Sequence, residues 1–190
     1  MLQHAFKEWA AICHALAAGK QALIVRKGGV AENQGEFCLE HKRFWLFPTY
    51  LHQQEDGLRE DARPFLADVL AHRPPQGTVR LSHFAEVTGV YHVHELLPAL
   101  MIAHLHYYSD ETIRKRFAYR TPGLFVFSVR VYRAATVHEI ADTERYQGCR
   151  SWVELDAPLA DEGATPVMTD KDYRDLQLNF DLLLTPTAIV

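Results

Sequence analysis

The sequence predicts an α+β domain in which helices flank a mostly antiparallel sheet or a small barrel. Its 190 residues, with 48% hydrophobic side chains, can bury one sizeable core, so a single domain over residues 1–190 is expected. The charged fraction of 23% is typical of a folded protein. The periodic segments indicate five or six strands and four or five helices, without the regular strand–helix alternation of a parallel sheet.

Net charge and cysteine usage exclude several classes of protein. A net charge of −4 excludes a surface coated in cations, although it leaves room for a local basic groove. Cys13, Cys38 and Cys149 lie far apart, which predicts reduced thiols in a cytoplasmic protein rather than a zinc ribbon or a disulfide scaffold. No apolar stretch is long enough to span a bilayer, and no cofactor is expected.

The first third of the chain is predicted to be a helix followed by strands. Apolar residues recur at helical spacing over residues 6–17, with Gly19 as the expected C-terminal cap. Residues 21–27 form an apolar, β-branched run that predicts a strand entering a glycine turn. Residues 36–53 predict one or two strands, which Pro48 should interrupt because proline lacks a backbone N–H.

The middle of the chain combines a helix and a strand. A helix is predicted in the second half of residues 57–73, where Pro64 is tolerated near the helix start. Residues 78–93 predict one strand, or two strands with a kink at Gly89. One face of that strand is expected to carry Val79, Leu81 and His83.

The remaining elements follow from capping residues and alternation. Residues 95–108 predict a helix, and Ser109 is the expected N-cap of the next one. Residues 124–134 alternate most clearly and predict a strand, with a shorter strand over residues 149–155. Thr169 is expected to cap the last helix.

Two cations beside two glycines form the first candidate binding motif. Arg26 and Lys27 precede Gly28 and Gly29 in the sequence RKGGV. Backbone N–H groups of such glycines can cradle a phosphate, and the two cations would complete its neutralisation. The alternative is a hairpin turn with a solvated basic entry.

The segment HKRFWLFPTYLHQ interleaves cations with aromatic residues, as a groove that holds phosphates and stacks bases requires. Arg43 would contact phosphates, while Trp45 and Tyr50 would stack on bases. His52 and Gln53 would bond to a base edge. Trp45 has an alternative place in the core, because every second residue of a strand points to the same face.

A second basic patch lies in the sequence ETIRKRFAYR. Arg116 and Arg120 are four residues apart and share a helix face, which makes them candidate phosphate contacts or part of a solvated surface. Trp152 is a further candidate for stacking. It follows Cys149 in the sequence CRSWVEL, where a buried thiol is expected.

Two HxH pairs are the only pattern that suggests a metal. His92 and His94 would share one face of a strand and could bind the same ion. His104 and His106 are expected on a helix, where a two-residue spacing separates side chains by about 200°. The alternative is a set of structural or surface histidines.

Several stretches together resemble the bacterial and archaeal family called domain of unknown function 1802. They are AFKEWA, LIVRKGG, FWLFPTYLHQ, LFVFSVRVYR and YQGCRSWVEL, which lie between Ala5 and Leu155. The family is uncharacterised. Some members are associated with restriction-endonuclease-type domains, so the resemblance implies a place near restriction–modification or nucleic-acid defence.

A second resemblance concerns the fold. A helix ending at Gly19 and Lys20, followed at once by a strand ending at Arg26, is similar to the opening of ASCH domains. These belong to the pseudouridine-synthase-and-archaeosine-transglycosylase (PUA)-like barrels, of which related members bind RNA or a flipped-out base. The resemblance implies a cleft lined with aromatic residues and cations.

These observations lead to one main hypothesis and two rivals. The main hypothesis is a module that binds RNA, DNA or a nucleotide, has no catalysis of its own and is linked to restriction–modification proteins. One rival is a metal-dependent hydrolase acting on a nucleotide or phosphodiester. The other is a protein-interaction module. The hydrolase would use a base or metal ligand among His52, His92 and His94, with a carboxylate from Glu40, Glu86 or Glu95.

Overall fold

The computed structural model describes residues 1–27, 31–33, 36–38, 41–50, 55–148 and 150–185. The strands in these ranges are β1 (Leu2–Trp9), β2 (Leu23–Arg26), β3 (Ala31–Asn33), β4 (Glu36–Cys38), β5 (Arg43–Thr49), β6 (Thr78–Val93), β7 (Leu124–Ala141), β8 (Trp152–Leu159) and β9 (Thr165–Pro166). The helices are α1 (Ala10–Ala17), α2 (Arg63–Ala71), α3 (Leu96–Met101), α4 (Asp110–Ala118) and α5 (Asp170–Leu183). None of these helices has both the length and the apolar character needed to cross a membrane.

A seven-stranded sheet organises the domain in the order β2-β7-β6-β5-β1-β8, with β9 added beside β7. The pairs are antiparallel except β1 with β5, which run parallel. The sheet does not close into a barrel. The predicted α+β class with a mostly antiparallel sheet is therefore confirmed, and of the two predicted arrangements the open sheet is the one observed.

Apolar side chains cover both faces of the sheet. On one face a large core joins the strands to the helices, with Phe6, Phe44 and Phe127 nearly inaccessible to solvent. On the other face a smaller core surrounds Trp45 and Phe84. Successive residues of β5 alternate between the two cores, as predicted for a strand buried on both sides.

The predicted N-terminal helix is wrong in its first four residues. Residues Leu2–Trp9 form a strand that pairs parallel to β5 and antiparallel to β8, and the helix begins only at Ala10. Ala5 and Phe6 are consecutive and both buried, one in each core, which a strand allows and an amphipathic helix does not. The predicted end of the helix is confirmed, since Gly19 has a φ of 64° and its N–H donates to the carbonyl of Leu16.

The prediction that Pro48 interrupts its strand is wrong for the pairing with β1, although the pairing with β6 ends before Pro48, so continuous pairing on both sides does not extend through this point, as the sequence predicted. β5 continues to Thr49, and Pro48 lies opposite Glu8 in the parallel pair. β6 pairs with β5 only over Arg43–Trp45, so the other edge of β5 is open at Pro48 and needs no donor there.

The predicted faces of β6 require one correction, because the register with β7 shifts between Leu81 and His83. Four residues of β7, 134–137, stand opposite the single Ser82 of β6, and such an irregularity breaks the strict alternation of side chains. Leu81 and Phe84 therefore both belong to the smaller core, and His83 does not share the face of Leu81. A second shift, between Val87 and Gly89, lies at the kink that the sequence predicted.

The predicted helix caps are confirmed. The hydroxyl of Ser109 accepts a hydrogen bond from the N–H of Thr112 at 3.2 Å. Thr169 accepts one from the N–H of Asp172 at 3.1 Å. Each bond satisfies a backbone donor that the first turn of a helix leaves without a partner.

A cationic cleft as the candidate functional site

A cleft of about 640 Å³ opens where β1 and β5 end, β6 begins and β7 has just ended. The connection before β6 forms one wall, and Asp142, residues 146–148 and Arg150 form another. The N–H of Asp142 donates to the carbonyl of Gly77 at 2.8 Å and joins these two segments. The described lining contains two carboxylates, Glu8 and Asp142, and five cations: Lys7, Arg26, Arg73, Arg80 and Arg150. The cleft is therefore positively charged in a chain that is acidic as a whole.

The floor of the cleft is a buried polar network centred on Glu8. Its carboxylate accepts hydrogen bonds from the N–H of Trp9 at 2.7 Å, from Arg26 at 3.3 Å and from the hydroxyl of Tyr108 at 2.9 Å. Its side chain has no solvent exposure. Burial and the nearby carboxylate raise the pKa of Tyr108, which keeps its proton for this bond.

Arg26 is held at this floor by three groups. Besides Glu8, its guanidinium donates to the hydroxyl of Ser151 at 2.7 Å and lies 4.7 Å from the ring centre of Phe6. The charge of Arg26 is compensated by Glu8, so it shapes the floor more than it adds net charge.

The wall of the cleft carries cations that lack a counter-ion. Arg73 lies over the ring of Tyr50 at 4.4 Å. Both Arg73 and Arg150 are exposed, and no carboxylate in the described ranges forms an ion pair with either of them. Arg80, by contrast, is paired with Glu139 at 2.8 Å. Arg73 and Arg150 are thus the cations of the cleft with charge available to an anion.

Tyr50 is the aromatic residue best placed to contact a ligand in the cleft. Its ring is half-buried beside Arg73. Burial raises the pKa of Tyr50, so the ring stays a neutral phenol at physiological pH. A neutral aromatic face stacked by a guanidinium is the arrangement in which a planar base can be added.

Two of the basic residues predicted as phosphate contacts, Lys27 and Arg116, donate to backbone carbonyls. Lys27 donates to the carbonyls of Phe117 at 3.3 Å, Gly123 at 2.9 Å and Thr121, which caps the end of α4. Burial lowers its pKa. Arg116 donates to the carbonyl of Val25 at 2.7 Å.

Arg116 is not part of the cleft lining and lies between two aromatic rings. Its guanidinium lies 4.8 Å from the ring centre of Trp9 and 4.5 Å from that of Tyr108. Arg116 therefore packs against Trp9 and Tyr108, which contribute hydrogen bonds to Glu8 at the floor of the cleft. Arg120 is exposed, lies over the ring of Tyr119 and is not part of the cleft lining.

The other candidate binding residues, including those predicted in and after β5, do not come together at one site in the described structure. Arg43 pairs with Asp161 at 2.9 Å, away from the cleft. Trp45 has no exposed surface and donates to the carbonyl of Leu2, so it offers no face to a ligand. Trp152 packs edge-on against Phe6 in the large core. His52 and Gln53 lie outside the described residues, as do Gly28, Gly29, Glu40 and Cys149.

The histidine pair is close in space. The rings of His92 and His94 are 3.8 Å apart, and His92 also stacks on Phe125 at 4.3 Å. Over the described ranges, no three His, Cys, Asp or Glu side chains come together in a way that could hold a metal. A metal at His92 and His94 stays a prediction. Glu86 is 3.5 Å from Lys42, and Glu95 is exposed.

Sequence reasoning missed Glu8, Arg73 and Arg150. Glu8 carried no signal, because its partners Arg26 and Tyr108 come from distant parts of the chain. Arg73 did carry one, since it stands directly before Pro74 and Pro75 in a connection between two predicted elements, where binding residues are often displayed.

The fold and the site together define an α+β domain with a cationic cleft at one edge of an open, mostly antiparallel sheet. The chain belongs to the family described as domain of unknown function (DUF1802), whose model matches residues 5–178. The membership inferred from the sequence motifs is therefore confirmed. No curated protein matches the chain.

Solved structures similar to this chain include an ASCH protein from Zymomonas mobilis, with 13% sequence identity and a TM-score of 0.48. That similarity covers 98% of this chain and 97% of the other. A mutant of the same protein has 12% identity and a TM-score of 0.45, over 96% of each chain. Both TM-scores lie below 0.5.

Proposed function

We propose that this protein binds single-stranded nucleic acid or a nucleotide in the cationic cleft. The observation that carries the proposal is the pair of exposed guanidiniums, Arg73 and Arg150, which have no counter-ion among the described residues and line the same cleft as Tyr50, with Arg73 directly over its ring. Phosphates need such cations, and bases need such a ring.

The size of the cleft suits this ligand class. Its volume of about 640 Å³ lies in the range of pockets that enclose a drug-sized molecule, and a nucleotide is of that size. A duplex would present its bases stacked and paired, out of reach of Tyr50. A single strand can unstack a base and place it against the ring.

The buried network below the cleft supports binding in a fixed geometry. Glu8, Arg26 and Tyr108 hold each other through hydrogen bonds, so the floor is already ordered before a ligand arrives. Ordering groups beforehand lowers the entropy lost on binding. The role proposed for this network is positioning, with no catalytic step.

The link to restriction–modification or defence proteins, and a cytoplasmic location, remain predictions from the sequence. We propose the link as the biological setting of the binding activity. A pull-down from the native organism, with wild-type protein and a cleft variant, tests it.

Binding to a fluorescent single strand of about twelve nucleotides, measured at several salt concentrations, tests the main proposal. The double variant R73A/R150A should weaken binding and reduce the slope of log affinity against log salt by roughly 1.4, because two phosphate contacts are lost. R114A, which removes an exposed cation of α4 outside the cleft lining, is the matched control and should change the slope little. Equal slopes for the double variant and the wild type would contradict the proposal.

A further inference from the structure

A second pocket, of about 400 Å³, adjoins the cleft. Pro48, Tyr50, Pro74 and Arg80 line both spaces, so the two are direct neighbours. The walls of the second pocket are α1 and α2 on one side and the strands β6 and β7 on the other. A nucleic-acid strand with a base stacked on Tyr50, if it continued past Arg80, would meet α1 and α2 and would have to end there.

A register shift between β6 and β7 lies at the strand wall of this pocket: Ser82 alone separates Leu81 from His83, whereas four residues of β7 separate their partners His138 and Arg133. Because the register shifts there, Ser82 and His83 both line the pocket although they are consecutive. Arg133 of β7 lies directly opposite His83 in the pairing, and residues opposite each other share a face of the sheet. Two guanidiniums, of Arg80 and Arg133, and one hydroxyl, of Ser82, are thereby brought to one wall.

The hydrogen bond between Ser82 and His83 frees a donor for a ligand. Ser82 Oγ lies 2.9 Å from His83 Nδ1, while His83 Nε2 is buried and has no partner among the described residues. A buried N–H without an acceptor is costlier than an acceptor without a donor, so the proton belongs on Nδ1. The imidazole then donates to Ser82 and leaves the hydroxyl hydrogen of Ser82 free to donate.

The charges facing this pocket favour an anion at the strand wall. No carboxylate of the described ranges forms an ion pair with Arg133, whereas Arg80 shares its charge with Glu139. Asp68 is the one carboxylate in the described lining, and it stands on the helix side. Its two oxygens are engaged by His14 at 3.3 Å and His72 at 3.1 Å.

We propose that the second pocket binds a terminal phosphate monoester, with Arg133 and Arg80 as the cationic contacts and Ser82 as a hydroxyl donor. The phosphate belongs to the end of a strand, or to a mononucleotide, whose base stacks on Tyr50; the inference thus rests on the proposed function. A terminal phosphate carries nearly two negative charges, against one for a phosphate inside a nucleic-acid strand, so Arg133, which has no counter-ion in the described ranges, attracts it more strongly, while Arg80 adds a donor although it is paired with Glu139.

The experiment compares strands of one sequence that end in a 5′-phosphate, in a 3′-phosphate or in hydroxyls only, together with adenosine and adenosine 5′-monophosphate. A phosphate at the preferred end should tighten binding on the order of 10-fold, and the mononucleotide should bind where the nucleoside does not. If only the mononucleotide shows the preference for phosphate, the ligand is a mononucleotide. If the strands show it, the ligand is the phosphorylated end of a nucleic-acid strand.

The variant R133A locates the effect. It should abolish the preference for phosphate and leave the affinity of the hydroxyl-ended strand within about twofold of wild type, with R114A as control. Equal affinity for all ends, or a preference that survives in R133A and R80A, would overturn the inference while leaving the proposed function in place. Failure of every strand and nucleotide to bind would overturn both. Thermal unfolding of each variant checks that the fold is retained.

Discussion

The carboxylate of Glu8 and the guanidinium of Arg26 form an ion pair of 3.3 Å at the floor of the cationic cleft. Glu8 is fully buried, and Arg26 retains only 18% of its side-chain exposure. Removing two charges from water is costly, and additional hydrogen bonds from Trp9 and Tyr108 offset part of that cost. The pair also explains why the free positive charge of the cleft lies on Arg73 and Arg150.

Replacing Glu8 with Gln should destabilise the protein by about 3–5 kcal/mol, because Arg26 would be left buried without its counter-charge. Urea unfolding at neutral pH measures this change. The control is E139Q, which breaks the exposed pair with Arg80 and should cost less than about 1 kcal/mol. Equal losses of stability in the two variants would show that the buried Glu8–Arg26 pair matters no more to stability than the exposed Arg80–Glu139 pair.

Replacing Tyr50 with Ala should weaken the binding of a single strand by about 5- to 150-fold, since base–aromatic stacking contributes about 1–3 kcal/mol per base. Y50F keeps the ring and should bind as the wild type does. Fluorescence anisotropy with the same labelled strand gives both affinities. If Y50F loses as much affinity as Y50A, the hydroxyl and not the ring carries the contact.

His106 should make the protein less stable as the pH falls. Burial, with the nearby charges of Arg59 and Arg116, lowers the pKa of His106 from 6.5 to about 3. The unfolded chain takes up a proton below pH 6.5, whereas the folded ring stays neutral until about pH 3, so stability is lost across that window as acid is added.

The variant H106L should remove this dependence on pH, because a leucine side chain at position 106 cannot take up a proton. Between pH 7 and pH 5 the wild type should lose roughly 2 kcal/mol more than H106L in urea unfolding. At pH 7 the variant should be at least as stable, since neither ring nitrogen of His106 has a hydrogen-bond partner among the described residues. H104L changes an exposed ring nearby and should follow the wild-type curve. Parallel curves for wild type and H106L would contradict the assignment.

Gly19 should tolerate a side chain less well than Gly77. Both have positive φ angles, of 64° and 81°, which cost an L-residue about 1–2 kcal/mol. A Cβ at Gly19 would also lie 3.1 Å from the Cγ of Met168 and 3.1 Å from the carbonyl oxygen of Val167, whereas at Gly77 it would meet nothing within 4 Å. Thermal unfolding should therefore show a larger loss for G19A than for G77A. A larger loss for G77A than for G19A would show that Gly19 does not pack closely against Val167 and Met168.

Local signals predicted much of the fold. Ser109 and Thr169 cap helices through bonds to residues three positions along the chain, so short sequence windows contain both partners. The strand over residues 78–93 and its kink at Gly89 follow from alternation and glycine placement. The first helix was predicted four residues too early, because Phe6 and Trp9 match a helical spacing by coincidence while pairing with β5 decides their structure.

The site was harder to predict because its contacts are non-local. Arg26 and Tyr50 were identified as candidates and do line the cleft. Lys27 and Arg116 belong to the same residue classes, yet they bond to backbone carbonyls, as many side-chain donors do. Composition cannot separate a cation that binds a ligand from one that holds a loop. The two kinds of cation are distinguished only by where their hydrogen-bond acceptors lie in the folded structure.

Mapping where a bound nucleic-acid strand contacts the protein tests binding in the cationic cleft most directly. A single strand carrying 4-thiouridine at each position in turn is crosslinked by light to the wild-type protein, and the attached peptides are identified by mass spectrometry. We expect crosslinks in peptides that contain Trp9, Tyr50 or the segment from Arg73 to Arg80, and their loss in R73A/R150A. Crosslinks confined to α4 around Arg114, or to α5, with none in those peptides, would contradict binding in the cationic cleft.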